Sequence, residues 1–454
     1  MNGKTTNVVR KGTFKVLIVD LIGLKHTKSF EPDHSEVAHY IEQKGSAFHE
    51  GSIANMELPD DGRIHFFYLP HLSTAEELSA EAGAGQYDAV IAAATFIPAN
   101  AEFAFGGVRI GTGTGNMGSN SWGGPNGEGG DAPLMNTPGI NARATAQMVF
   151  KALLRELPDL PVEILHQKVV DGVFDTGKDL VGYPTEKLEG KRFAVLGYGN
   201  IGREVALLAK AFGMQVTIFA RPAHRESILR QGYAYADTPN DAALGADVIS
   251  VHLGLGRFDD VMGKFQNAGL INGSVMSALN DGAVLLNYDR GELVDIEALD
   301  EALTSGKIRH AAIDADIFAS VDGPTGPLAP YLPLVSKHTG KLALLPHAAA
   351  DTDHPTRVAG AKLAVDQIID AIRNRTVANL KGGLPVGYVA RTLSMSSGIQ
   401  GEAKIVSGLR EVSKSLSALL HALDNSAGGD ESSRIIEQHH ALIDCIDLDQ
   451  YAIL

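Results

Sequence analysis

Two periodicities alternate along the chain. Runs of consecutive, mostly apolar residues occupy 14–20, 64–69, 87–92 and 108–111, and again 193–196, 216–219, 246–253, 284–287, 311–314 and 342–345. Between them lie stretches whose apolar residues fall three and four apart, at 35–44, 144–154, 201–212, 299–303 and 356–373. The first kind predicts buried strands and the second predicts helices with one apolar stripe. Their alternation predicts parallel sheets covered by helices. Residues 45–62 and 170–190 show neither period and are expected as connections. Residues 119–131 are glycine-rich and carry the only tryptophan, Trp122. They read as a mobile loop with one aromatic anchor, either a surface insertion or a lid over a substrate. Past residue 396 the pattern changes. Ile405, Leu409, Val412, Leu416, Leu419 and Leu423 form one helical seam, Gly428-Gly429 breaks it, and Ile435, Ile436, Leu442, Ile443 and Ile446 suggest a second helix. A helical hairpin packed on its own chain or at a subunit contact is expected there.

One stretch organises the rest. Phe193-Ala194-Val195-Leu196 runs into Gly197, Gly199 and Gly202, and Val205, Leu208, Ala209 and Phe212 follow at helical spacing. In a G-x-G-x-x-G turn between strand and helix, the first glycine allows the tight turn. The second lets backbone approach a pyrophosphate, and the third lets helix and strand pack closely. The hexapeptide alone means little in a chain with 50 glycines. The strand before it and the helix after it supply the context the motif requires.

Composition bounds the partners. The chain has 454 residues, 44% hydrophobic and 20% charged, enough for two or three domains with a sizeable core. A net charge of -15 and the lack of a basic stripe argue against a general nucleic-acid binder. An anionic ligand must then be drawn by a local cluster of cations. Cys445 is the only cysteine, so neither a disulfide framework nor a cysteine-rich metal site is expected. Asp259-Asp260 and His439-His440 lack a recognisable metal-ligand spacing. No signal peptide or membrane span is expected, and the expected location is the cytoplasm.

Ordered motifs then carry a resemblance. They are the run Met135-Asn136-Thr137-Pro138-Gly139-Ile140-Asn141-Ala142-Arg143-Ala144-Thr145-Ala146, the glycine turn, residues 246–253, the block Asn287-Tyr288-Asp289-Arg290-Gly291-Glu292-Leu293-Val294-Asp295, and Pro346-His347. From about residue 87 to 390 the sequence resembles the D-isomer-specific 2-hydroxyacid dehydrogenase family, which includes D-3-phosphoglycerate dehydrogenase. Gly254 stands where that family usually has proline. The resemblance implies an α/β fold of two Rossmann-like domains: a split substrate domain over 1–142 and 351–395 and a dinucleotide-binding domain over 143–350; the seam read above makes 396–454 a helical C-terminal extension. It implies a homodimer, a nicotinamide cofactor held by Gly197, Gly199, Asn200, Ile201, Gly202, Arg221, His252 and Asp314, and a 2-oxo/2-hydroxy acid substrate. The substrate carboxylate would meet backbone N–H groups at Thr114 and Gly115.

The residues make chemical sense beside the resemblance. Reduction of a 2-oxo acid needs a cation for its carboxylate and carbonyl, and an acid for the forming alkoxide. Arg290 offers the forked donor and His347 titrates in the useful range. The plainer alternatives are a salt bridge from Arg290 to Asp289 and a packed loop histidine. Two departures from the family matter. Its third catalytic residue, a glutamate, has no counterpart after 311–314. Asp322 is the nearest substitute and Asp316 the alternative. Where NAD-preferring members carry an acid for the ribose, this chain has Ala220, followed by Arg221, His224 and Arg225. An arginine there suits a 2′-phosphate, so NADP(H) is the expected cofactor, with NAD(H) possible. A rival reading is a dinucleotide-sensing interaction protein on the same fold, with little or no turnover.

Overall fold

A computed structural model of the chain describes residues 12–391, apart from positions 21, 24, 30, 73, 84, 158–159, 260, 320–322 and 350–353. The expected helical extension, Cys445, Asp260 and Asp322 therefore lie outside the described residues.

Two sheets organise the described chain. The first contains β1 (Phe14–Val19), β2 (Ala47–Glu50), β3 (Ile64–Leu69), β4 (Ala89–Ala92), β5 (Gly107–Arg109) and β6 (Leu134–Asn136). The second contains β7 (Arg192–Leu196), β8 (Gln215–Phe219), β9 (Ala234–Ala236), β10 (Val248–Val251), β11 (Ala283–Asn287), β12 (Ile308–Asp314) and β13 (Leu342–Leu345). A last strand, β14 (Leu380–Lys381), returns to the first sheet beside β6. The orders are β14-β6-β5-β4-β1-β3-β2 and β9-β8-β7-β10-β11-β12-β13. All neighbours run parallel except β14, which is antiparallel to β6.

The apolar runs became the central strands because both faces of each sheet are covered. Val16, Ile18, Phe66 and Ile91 point into one cluster and Leu17, Val19, Phe67 and Val90 into another. Around the second sheet, Ala194, Leu196, Leu285 and Ile313 face one cluster, and Phe193, Val195, Val284 and Leu286 the opposite one. The long helix His354–Asn374 brings the chain back across the first sheet, burying Val358, Ala361, Val365, Ile368 and Ile372 there. Gln367 Nε2, in its middle, donates to the carbonyls of Asn136 and Ala378.

Among the described residues the expected strands and helices are present, and the differences are at the edges. Residues 45–62 contain β2, an edge strand whose Ala-Phe-His-Glu has no apolar run because it is only half-buried. β6 and β9 are three residues each, too short to show a period. The connection 170–190 is preceded by a helix, Val162–Val170, that buries none of its residues, so it has no apolar stripe facing its own core. Within 119–131, Trp122 is 1% exposed, stacked on Phe103, and donates from Nε1 to the Met117 carbonyl at 2.9 Å. The loop is pinned into the first sheet's core rather than free.

One polar clamp shapes the carboxyl end of the first sheet. Asp20, just past β1, has φ 70, and its carboxylate accepts from the amides of Ala93, Ala94 and Thr95 and from the Thr95 hydroxyl. The exit of β4 is thus tied to the exit of β1, its neighbour in the sheet.

Candidate active site

The glycine turn is shaped by contacts that no side chain could share. Gly197 has φ 106, and a Cβ there would lie 2.1 Å from the His252 carbonyl oxygen. A Cβ on Gly202 would lie 2.0 Å from the Gly197 carbonyl oxygen. Gly199 is different: a Cβ would meet nothing within 4 Å. It caps the helix Asn200–Ala211, and no side chain bonds the helix's first N–H groups at the cap. Asn200 and Ile201 open that helix. The turn therefore presents free N–H groups at a helix N-terminus to open space, which fits a pyrophosphate. His252, after β10, is buried, and Ser250 Oγ lies 2.7 Å from its Nε2, while Nδ1 has no partner. Burial pushes its pKa down to about 3, so the ring is neutral.

At the end of β8, Ala220 is buried and Arg221 is exposed. Arg221 Nη2 lies 3.4 Å from His224 Nε2. Arg203 lies over the Tyr198 ring at 4.9 Å, and Arg225 stands 3.8 Å from Asp237. Burial, with Arg203 and Arg221 adding to it, lowers the His224 pKa. Arg203 and Arg221 are the cations here that could draw an anionic ligand to an acidic protein.

The second group gathers at the ends of β11, β12 and β13. Arg290 follows β11. Asn287 Nδ2 donates to the Arg290 carbonyl at 2.8 Å, and Tyr331 Oη to that of Gly291 at 2.5 Å. Its guanidinium lies 3.9 Å from Asp289 and 3.7 Å from Asp316. Burial pushes the Asp289 carboxyl up to about 6, against the pull of Arg290 and His347. His347 follows β13 with φ 54, a left-handed backbone that costs on the order of 1 kcal/mol or more for a non-glycine residue. Asp314, 2% exposed at the end of β12, holds the turn by accepting from the amides of Ala348 and Ala349. The His347 ring meets Asp316: Nδ1 to Oδ1 is 2.9 Å. That hydrogen bond is the main reason the His347 pKa is raised and the Asp316 pKa lowered.

The structure thus brings Arg290, His347 and Asp316 together. The carboxylate on the ring is the alternative of the two considered. Asp322 lies outside the described residues, and Asp316 already occupies Nδ1. The first sheet adds the loop after β5. A Cβ on Gly113 would lie 3.1 Å from Arg290 Nη2, and one on Gly115 would meet nothing within 4 Å. Thr114 is buried and donates its hydroxyl to the Pro125 carbonyl at 2.7 Å. Asp314 is tied to the turn at 348–349, so its carboxylate shapes that turn. Arg109 escaped the sequence reading. Its Nε donates to the Ala93 carbonyl at 3.0 Å, and its charge helps lower the Asp316 pKa. A charged residue at the carboxyl end of a parallel strand was the signal that could have found it.

Comparisons with known proteins agree with the fold. Residues 153–349 match the family described as D-isomer specific 2-hydroxyacid dehydrogenase, NAD binding domain. The glyoxylate reductase of Aeropyrum pernix is 32% identical over 250 residues, which are 54% of this chain and 68% of that protein. The chain belongs to the D-isomer specific 2-hydroxyacid dehydrogenase family. Membership carries the family's chemistry, transfer of a hydride between a nicotinamide cofactor and a 2-oxo or 2-hydroxy acid, so the chain is an oxidoreductase. The match to D-3-phosphoglycerate dehydrogenase of Haemophilus influenzae, 31% identical over 183 residues, spans 40% of each chain, less than half of that family member. Among solved structures, the fold is shared with an NADPH-dependent glyoxylate/hydroxypyruvate reductase of Sinorhizobium meliloti (TM-score 0.51, 19% identity, 84% of this chain and 99% of that one). It is shared too with 3-phosphoglycerate dehydrogenase of Entamoeba histolytica (TM-score 0.53, 17% identity, 79% and 95%). In this family setting, the glycine turn and the Arg221 cluster are the features that would hold the dinucleotide. Among the described residues no group of His, Cys, Asp and Glu could hold a metal, and no helix is long and apolar enough to cross a membrane.

The open space at Gly199 gives a direct test. Gly199→Val meets no protein atom, so the free protein should lose no more than about 1 kcal/mol, the cost of a poorer residue at the helix cap. The added side chain would occupy the space meant for the pyrophosphate, and NAD(P)H affinity should fall more than about tenfold, or about 1.4 kcal/mol. Denaturant unfolding and a nucleotide fluorescence titration read the two effects. Unaltered affinity would place the dinucleotide elsewhere.

Proposed function

We propose that this chain reduces a 2-oxo acid at Arg290 and His347, with Asp316 as the carboxylate that orients the histidine. The observation that carries this is the 2.9 Å contact between His347 Nδ1 and Asp316 Oδ1, with the Arg290 guanidinium beside the same carboxylate. Arg290 presents several donors and holds the substrate's carboxylate and carbonyl oxygen, aided by backbone N–H groups at Thr114 and Gly115. Those interactions strengthen as charge builds on the carbonyl oxygen. The nicotinamide cofactor supplies the hydride. His347, fixed through Nδ1, gives the Nε2 proton to the alkoxide. In the oxidative direction the neutral ring takes that proton back. Turnover of a panel of 2-oxo acids with NADH and with NADPH tests the reading. A chain that bound dinucleotide and reduced none of them would be a sensor instead.

NADP(H) is the preferred cofactor in this reading, with NAD(H) possible. Support comes from the buried Ala220 in place of an acid and from the cations Arg203 and Arg221 around the end of β8. A homodimer is supported by the helix Val162–Val170 and the segment after it, where Val162, Val169, Val170, Val173 and Val181 are each at least 63% exposed. An apolar surface of that extent suits a partner face better than water. The single cysteine is in keeping with a cytoplasmic setting.

Three outcomes follow. In solution the full chain should have twice its monomer mass, and Val169→Glu should shift it toward the monomer; light scattering that finds only monomer in the wild type would remove the dimer. Arg221→Ala should raise KM for NADPH about tenfold or more and leave KM for NADH within about twofold, since only the 2′-phosphate loses a partner; a wild type that strongly prefers NADH would sink the NADP assignment. The third concerns pH. Reduction needs protonated His347, which is present below its pKa and lost above it. Asp316 raises that pKa, so in Asp316→Asn the reductive kcat should fall away at lower pH than in wild type. The oxidative rate, which needs the neutral ring, should extend to lower pH. Matching pH profiles in the two proteins would take the orienting role from Asp316, and Asp322→Asn would be the next variant to measure.

A further inference from the structure

β1 and β4 are neighbours whose chains continue to opposite sides of the pair, β1 toward β3 and β2, β4 toward β5 and β6. This is the switch point of the first sheet, where open α/β sheets form ligand crevices at their carboxyl edge. A cavity of about 390 Å³ lies there, between the exits of β1, β4 and β5 and the first turns of the helix His354–Asn374. Its volume is in the range of small-molecule sites. None of the residues given a role in the reaction above lines it.

Its lining has an apolar body and a polar part with spare capacity. Ile22, Leu72, Ile110 and Ile140 form the first. Arg357 belongs to the second. It is half-buried and has no hydrogen bond or ion pair with any described residue. Asn141 also lines the cavity, and its amide oxygen is buried without a partner. A side-chain amide can serve as donor or acceptor by turning over. Asp20 faces the same space, but three amides and the Thr95 hydroxyl already fill the acceptor positions of its carboxylate. The unspent charged group is therefore a guanidinium, which pairs with an anion such as a carboxylate.

The cavity also adjoins the reaction centre. Gly111 lines it, and Gly113 lies against Arg290, whose Nη2 is 3.1 Å from a Cβ built there. Two residues reach at most about 7 Å, which puts the Arg290 guanidinium within about 12 Å of the cavity wall. A six- or seven-carbon substrate with a carboxylate at each end covers a distance of that order once each end also meets a guanidinium.

We propose that this cavity receives the substrate's side chain, and that the substrate is a 2-oxo acid with a second carboxylate at the far end of an apolar stem, held by Arg357. The proposal rests on the reading of Arg290 and His347 given above. A substrate as short as glyoxylate leaves the cavity and its arginine unused.

The test uses the full chain and matched pairs of substrates: 2-oxoadipate against 2-oxohexanoate, and 2-oxopimelate against 2-oxoheptanoate, with glyoxylate as the short reference. Each pair differs in the distal carboxylate alone. Wild type should favour the dicarboxylate by roughly 10- to 100-fold in kcat/KM, the span expected of one charge-assisted contact. Arg357→Gln should bring the ratio close to one, and Arg357→Lys should keep part of it. An equal or reversed preference in wild type overturns the proposal, whether or not the variants fold. So does a ratio that stays put in a folded Arg357→Gln protein, or turnover confined to glyoxylate. Each of those results leaves the assignment of Arg290 and His347 standing. Failure to reduce any 2-oxo acid, glyoxylate included, with either nicotinamide would remove that assignment and this proposal together.

Discussion

The proposed reaction centre depends on a backbone conformation that its own residue disfavours. His347 sits at φ 54, where a side chain is strained. It stays there because Asp314, buried at the end of β12, accepts from the next two amides, and because Asp316 takes the ring nitrogen. Two aspartates two residues apart thus do different work. One fixes the backbone of the turn and the other fixes the ring and its charge. Loss of the first would free the turn to relax toward an ordinary conformation, and the ring would leave Asp316 whatever its protonation state.

The same device appears in the first sheet. Asp20 leaves β1 at φ 70, and its carboxylate gathers the amides of Ala93, Ala94 and Thr95 from the exit of the adjacent strand. In both sheets an aspartate at or just past the end of one strand ties down the loop past its neighbour. Carboxyl ends of parallel strands expose backbone N–H groups that no further strand pairs. A carboxylate satisfies several at once and leaves the loop rigid. Pre-positioning of this kind spares a substrate the cost of ordering the site. Arg109 links the two halves. It is bonded to the loop after β4 through the Ala93 carbonyl, and its charge reaches Asp316.

Much of this was legible in the chain. The central strands stood out because both of their faces are buried, which leaves a nearly continuous apolar run such as Val284-Leu285-Leu286. Edge strands did not: β2 is half-buried and reads as polar, and β9 is too short for any period. Arg290, His347 and the glycine turn lay in motifs that resemble a known family. The partner of His347 was harder to see. The relevant loop departs from the family, and spacing along the chain cannot say whether Asp316 or Asp322 folds back on the ring. Trp122 looked like the anchor of a mobile loop because glycine surrounds it. Only the fold shows that the anchor reaches the core and removes the mobility. Arg357 carried no signal either, for an arginine in the first turns of a helix is ordinary until the cavity it faces is known.

A protein of net charge -15 that is to take an anionic ligand needs its cations to act locally. Many of its other cations are spent on carboxylates, as in Lys44 with Asp366, Lys307 with Asp281 and Lys337 with Asp300. At the strand ends the arrangement differs. Arg221 bonds a histidine, Arg203 lies on a tyrosine ring, and Arg290 stands no closer than 3.7 Å to a carboxylate. These guanidiniums keep donors to give. At physiological ionic strength charges beyond about 8 Å are largely screened, so a ligand entering the crevice responds to those few cations rather than to the total. The sheet architecture makes this possible, because it delivers the ends of several strands to one edge. Loops that would otherwise have to be long need only a few residues to reach the site.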